Sequence, residues 1–141
     1  MTNEETLFSL IQSVIHHVPF NNEITDQRGL YMLAKTHEVS GMIYPVLKDK
    51  PLEDAVHSRL KRDFHLYALK DQQFSEAISQ VKAAFQSQNI SHVFLKGAKL
   101  KHYYPNPEMR SMGDVDVLIQ STSMNSAHEA LKSFGFTLKQ K

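Results

Sequence analysis

His92 to Gln120 reads HVFLKGAKLKHYYPNPEMRSMGDVDVLIQ, and its two apolar ends decide the reading of the chain. At the far end, Asp114 and Asp116 stand in the run Asp-Val-Asp-Val-Leu-Ile. Alternate residues of a strand point to opposite faces. A strand here therefore puts both aspartates on one face and turns Val115, Val117 and Ile119 toward a core. Two such Cα atoms lie roughly 6.6 Å apart, which lets both carboxylates reach one divalent cation or two neighbouring ones. Like charges side by side on a core strand repel unless a cation holds them together. Asp114 and Asp116 are accordingly candidate metal ligands, with Mg²⁺ or Mn²⁺ as the ion. The plainer alternative is a strand edge carrying two solvated acids.

At the near end, His92 to Leu95 reads as a short buried strand, and Lys96-Gly97 follow it at once. Ala98 to Tyr104 reads as a short helix stopped by Pro105. Lys96-Gly97 then mark a strand-to-helix turn. Glycine permits close approach to the backbone, and the free amides of a helix start favour an anion such as phosphate. Gly97 would act through backbone amides and Lys96 through charge, against the alternative of an ordinary connection with an exposed lysine. Arg110 offers a planar fork of donors to a triphosphate, or an ion pair to Asp114 or Asp116. A phosphate cradle followed by paired carboxylates is what metal-assisted phosphoryl or nucleotidyl transfer requires.

Leu95-Lys96-Gly97, Tyr104-Pro105, Arg110 and Asp114-Val115-Asp116-Val117-Leu118-Ile119 together resemble the uncharacterised nucleotidyltransferase family (NTP_transf_5 type) of the DNA polymerase β-like superfamily. These motifs span about a fifth of the chain, and the preceding segment, ending in Asn-Ile-Ser-His-Val, is also similar to the family. Superfamily members usually carry Gly-Ser where this chain has Lys-Gly. The resemblance implies a small mixed-sheet core and transfer of a nucleoside monophosphate from a nucleoside triphosphate, such as ATP, to a hydroxyl acceptor by a two-metal route. It implies Asp114 and Asp116 as catalytic metal ligands, and Lys96, Gly97 and Arg110 on the triphosphate. It also implies a third acid on a later strand. After Asp116 the chain has only Glu129, in a segment that reads as helix, and Phe136-Thr137-Leu138 reads as the start of another strand. The expectation is an N-terminal piece of a longer protein, inactive alone, with apolar surface that favours self-association.

Two other functions fit parts of the pattern. Sugar transferases use Asp-x-Asp to hold a nucleotide-sugar diphosphate through Mn²⁺, but they place a nucleotide-binding α/β half before that motif, where this chain reads as helix. A degenerate nucleotide-binding or protein-interaction module is the second alternative. Tyr103-Tyr104 suit base stacking or, more commonly, anchoring of a helix end.

Composition narrows the classes further. The 141 residues are 41% hydrophobic, enough to build the core of one domain or two small ones. A net charge of +1 argues against binding a nucleic acid by bulk electrostatics, although Lys96, Lys99 and Lys101 form a local basic group. With no cysteine there are no disulfides and no thiolate metal sites. The histidines, among them His16-His17, His37, His57 and His65, lack paired ligand spacing with carboxylates, so no zinc site is expected. The acidic start, Asn3-Glu4-Glu5, is unlike a secretory signal, and no apolar run approaches the roughly 20 residues that cross a bilayer. A cytoplasmic protein away from membranes is expected.

Before Asn89 the periodicity is helical. Thr2 and Glu5 have capping-box spacing, and Leu7, Leu10, Ile11, Val14 and Ile15 follow at helical steps. A second helix from near Thr25 carries Leu30, Leu33, Ala34 and a buried His37 on one side, and Ser40-Gly41 breaks it. Met42 to Leu47, interrupted by Pro45, is left open. Pro51 suits the first turn of a third helix, whose stripe runs through Leu60, Phe64, Tyr67, Phe74, Ile78, Val81 and Phe85. Unbroken from 51 to 88 it would measure about 57 Å, so a break is expected near Leu69-Lys70-Asp71. Asn89 can close it in the left-handed conformation. Ser121-Thr122-Ser123 can cap a last helix through Lys132, ended by Gly135. The fold class is α+β: a helical region, 1–88, and a partial nucleotidyltransferase α/β core, 89–141.

Overall fold

The computed structural model describes residues 1–139. By contacts the chain forms two compact units, one of Met1–Asp71 with Lys101–Ser111, the other of Gln72–Leu100 with Met112 onward. This partition cuts the chain elsewhere than the division by secondary structure at residue 88. Among the described residues no strand precedes His92, and the two strands present are antiparallel, so the chain is α+β. No helix among them is long and apolar enough to cross a membrane.

In the first unit, helix α1 (Asn3–His16) starts with the expected capping box. The Glu5 amide donates to the Thr2 hydroxyl at 3.1 Å, and the Thr2 amide donates to the Glu5 carboxylate at 2.8 Å. Helix α2 (Gln27–Thr36) is capped by Asp26, which accepts from the Gly29 amide. It closes through Glu38 at φ 56°, with the Val39 amide on the Ala34 carbonyl. Because the helix ends at Thr36, His37 falls on the cap and is exposed, not buried as the stripe suggests.

Met42 to Leu47 proves helical, as part of α3 (Ser40–Leu47), with Pro45 inside it. Ser40-Gly41 begin this helix and do not merely break the one before. A Cβ on Gly41 would lie 2.7 Å from the Tyr67 ring, a contact only glycine avoids. Leu7, Leu10, Phe20, Leu30, Tyr31, Ile43, Leu47, Val56 and Leu60 form the unit's main core. Val14, Met42 and Met109 form a second cluster, against which Tyr104 packs.

Helix α4 (Asp54–Ser87) begins three residues after Pro51 and runs 34 residues without a break, about 51 Å. The break expected near Leu69-Lys70-Asp71 is absent. The helix contains neither glycine nor proline, the usual causes of interruption. The boundary between the compact units nonetheless falls at Asp71–Gln72. The helix's end follows the expectation: Asn89 is left-handed at φ 53°, and the Ile90 and Asn89 amides bond to the Phe85 and Gln86 carbonyls.

In the second unit, strands β1 (His92–Leu95) and β2 (Asp116–Ile119) pair antiparallel in the register His92↔Ile119, Val93↔Leu118, Phe94↔Val117, Leu95↔Asp116. Val117 and Ile119 pack on Ala84, Phe85, Ile90, Ala127 and Ala130, while Val93 and Leu118 are exposed. Helix α5 (Gly97–Leu100) is one turn, and helix α6 (Met124–Ser133) follows a short 3₁₀ turn at Ser121–Ser123 with no side-chain cap bond. Gly135 ends α6 at φ 91°, with the Phe136 amide on the Leu131 carbonyl. Phe136 to Leu138 are not a strand. The Phe136 amide closes the helix and is unavailable to a ladder. Gln140 and Lys141 lie outside the described residues.

Candidate functional site

The candidate residues divide between the two units. Lys96, Gly97, Asp114 and Asp116 belong to the second and Arg110 to the first, so each group is described by itself.

The ladder fixes the first group. Leu95 stands opposite Asp116, and the chain leaves β1 through Lys96. Lys96, not Gly97, takes the left-handed conformation of this turn, at φ 51°. L residues with a side chain seldom adopt it. The residue next to Asp116's ladder partner is thereby turned out of the strand, and the Lys96 amine lies 3.3 Å from an Asp116 carboxylate oxygen. The side chains are 75% and 36% exposed, so this pair stands open to solvent. The cation beside the aspartates within this unit is thus Lys96, where the sequence offered Arg110.

Asp114 is exposed and precedes β2, which begins only at Asp116. The picture of both aspartates on one strand face is corrected to this extent. Ladder pairing reaches back only as far as Leu95 opposes Asp116, and Asp114 sits on the loop that leads in.

The turn itself is shorter than expected. In place of a helix to Tyr104, α5 ends at Leu100 and a 3₁₀ turn covers Lys101–Tyr103. The Lys99 and Leu100 amides bond back to the Lys96 carbonyl. A single turn has little dipole, so what this turn offers an anion is the Lys96 charge and the open backbone at Gly97.

In the first unit, the Arg110 guanidinium lies over the Tyr104 ring, 6.0 Å from its centre, and donates to the Tyr104 hydroxyl at 3.4 Å. Its Nε is buried and has no hydrogen-bond partner. Tyr103 is exposed whereas Tyr104 packs on Met109. Lys101 leaves the basic group foreseen with Lys96 and Lys99, being buried and ion-paired with Asp71 at 2.9 Å.

Sequence reasoning missed Asp63. It is 1% exposed and accepts hydrogen bonds from Ser40 at 2.8 Å, Tyr31 at 3.0 Å and Lys35 at 3.2 Å. Burial pushes its carboxyl up, but the bonds from Ser40, Lys35 and Tyr31 outweigh burial and hold it below the ordinary aspartate value. The signal was present: Asp63 falls three residues after Leu60, on the apolar stripe of α4.

A profile of an uncharacterised nucleotidyltransferase family matches residues 23–141. The chain belongs to this family. No curated protein and no solved structure matches it. The family match spans α2 through α4 as well as the paired strands, and so reaches well beyond the motif region, though not to α1.

For this family member the donor chemistry suits a hard divalent cation. Asp114 and Asp116 would offer such an ion solvent-accessible carboxylates, and its other ligands would come from water or substrate oxygens. The amine beside Asp116 shows that a cation can sit against that carboxylate. Among the described residues no group of three or more His, Asp or Glu forms a metal cage.

Proposed function

We propose that the chain takes part in transferring a nucleoside monophosphate from a nucleoside triphosphate to a hydroxyl acceptor, with Asp114 and Asp116 holding Mg²⁺ or Mn²⁺. The family match across 23–141 is the observation that carries this reading. The register that sets the Leu95-Lys96-Gly97 turn beside Asp116 supports it. When bound there, a divalent ion would supply the positive charge that offsets the negative charge developing on the phosphates as pyrophosphate leaves. Asp116, anchored at the start of β2, would position that ion, and Asp114 would complete the pair from its loop. The Lys96 amine would neutralise phosphate oxygens beside them, and Gly97 would let a phosphate approach the backbone.

Calorimetry of nucleoside triphosphate binding, with and without Mg²⁺, tests this reading. The chain should bind nucleotide more tightly with Mg²⁺ than without. An Asp114→Asn, Asp116→Asn double variant should lose that gain, on the order of 10- to 100-fold. Nucleotide binding by the variant equal to that of the unaltered chain, with and without metal, would sink the assignment.

A further inference from the structure

One amine serves two purposes in the proposed site. In the free chain the Lys96 amine sits 3.3 Å from Asp116. That carboxylate is also the proposed anchor of the divalent ion, and the amine is also the proposed partner of the phosphate. It cannot do both at once, because an ammonium and a divalent cation on one carboxylate repel each other. The backbone makes the choice of lysine notable. Gly97, the next residue, would accept the left-handed conformation without strain, yet Lys96 takes it. The ladder pair Leu95↔Asp116 then fixes where that residue leaves the strand. Its side chain is mostly exposed and so free to swing away.

We propose that Lys96 is an exchangeable counterion of Asp116, which couples metal binding to nucleotide binding. This rests on the reading of Asp116 as a metal ligand. A divalent ion arriving alone must displace the amine. An ion arriving with a triphosphate does so more easily, since the amine moves onto phosphate oxygens. Metal and nucleotide therefore raise each other's affinity through Lys96, and the enhancement is the same in both directions. The site therefore takes free metal more weakly than the metal–nucleotide pair.

The test measures Mn²⁺ binding by electron paramagnetic resonance, first with Mn²⁺ alone and then with the α,β-methylene analogue of ATP. Lys96→Met should bind Mn²⁺ alone about two- to fivefold more tightly than the unaltered chain, the scale of one exposed ion pair. It should bind the analogue more weakly, and the mutual enhancement should fall by about the same two- to fivefold. Lys96→Arg should keep the enhancement. Lys99→Met, which removes an exposed charge from α5, should keep it too. Lys96→Gly, which relaxes the backbone, should behave as Lys96→Met, so that a folding defect in one variant cannot mimic the result. Lys96→Met with unchanged or weaker Mn²⁺ binding, while Asp116→Asn still weakens it, would overturn the exchange and leave the metal reading standing. Mn²⁺ binding unaffected by Asp116→Asn would overturn both.

Discussion

Asp63 and Asp116 each pair with a lysine at nearly the same distance, 3.2 Å to Lys35 and 3.3 Å to Lys96. Their surroundings differ completely. Asp63 is 1% exposed and takes three further hydrogen bonds, from Arg62 beside it and from Tyr31 and Ser40, which tie α2 and α3 to α4. Asp116 is 36% exposed, and its one described ion-pair partner is itself open to solvent. An ion-pair distance therefore says little about what a carboxylate does. Burial and the number of other donors separate a structural hub from an exchangeable site: the first cannot give up a partner without stranding buried hydroxyls, and the second can trade its partner for another cation.

The largest effect should come from removing the hub. Asp63→Ala leaves the Tyr31 and Ser40 hydroxyls without their acceptor and should cost about 2–4 kcal/mol in urea unfolding. A loss below about 0.5 kcal/mol would erase the contrast between the two aspartates. Gly41→Ala presses on the same corner, since its Cβ would meet the Tyr67 ring at 2.7 Å and the Asp63 carbonyl at 3.1 Å. It should cost about 1–3 kcal/mol, and an unchanged denaturation midpoint would mean that α3 shifts freely against α4.

The third prediction concerns pH. Asp63 titrates lower in the folded chain than in the unfolded one. Its contribution to stability is thus complete above the unfolded value and is lost as pH falls through the folded one. The stability advantage over Asp63→Asn should be constant near neutrality and shrink from roughly pH 4 downward. A gap that widens on acidification would reverse the assigned direction. The smallest effect should be that of Asp116→Ala, within about 0.5 kcal/mol of the unaltered chain. A loss as large as that of Asp63→Ala would make Asp116 a structural residue too.

Much of the local structure was legible because it depends on neighbours in sequence. The capping box at Thr2 and Glu5, the left-handed closures at Asn89 and Gly135, and the strand His92–Leu95 all follow from residues within a few positions of one another. The expected interruption of α4 came from length alone, while the chain, lacking glycine and proline there, had no local reason to break. His37 was read from the stripe, but the closure through Glu38 ended the helix first.

The sequence by itself pointed to α1, α2, α4 and α6, the paired strands, the candidate carboxylates and the family to which they belong, while it left α3 open and suggested a strand at 136–138 that does not form. Only tertiary structure decided their partners. Lys35 reaches Asp63 across 28 positions, and Lys101 reaches Asp71 across 30. Which cation faces Asp116 was set by the register of β1 on β2, together with the left-handed turn at Lys96. A propensity is a property of a few adjacent residues, whereas pairing depends on where two distant segments come to rest. For that reason the sequence offered Arg110 as the ion-pair partner of the aspartates, and within its own unit the ladder brought Lys96 to Asp116.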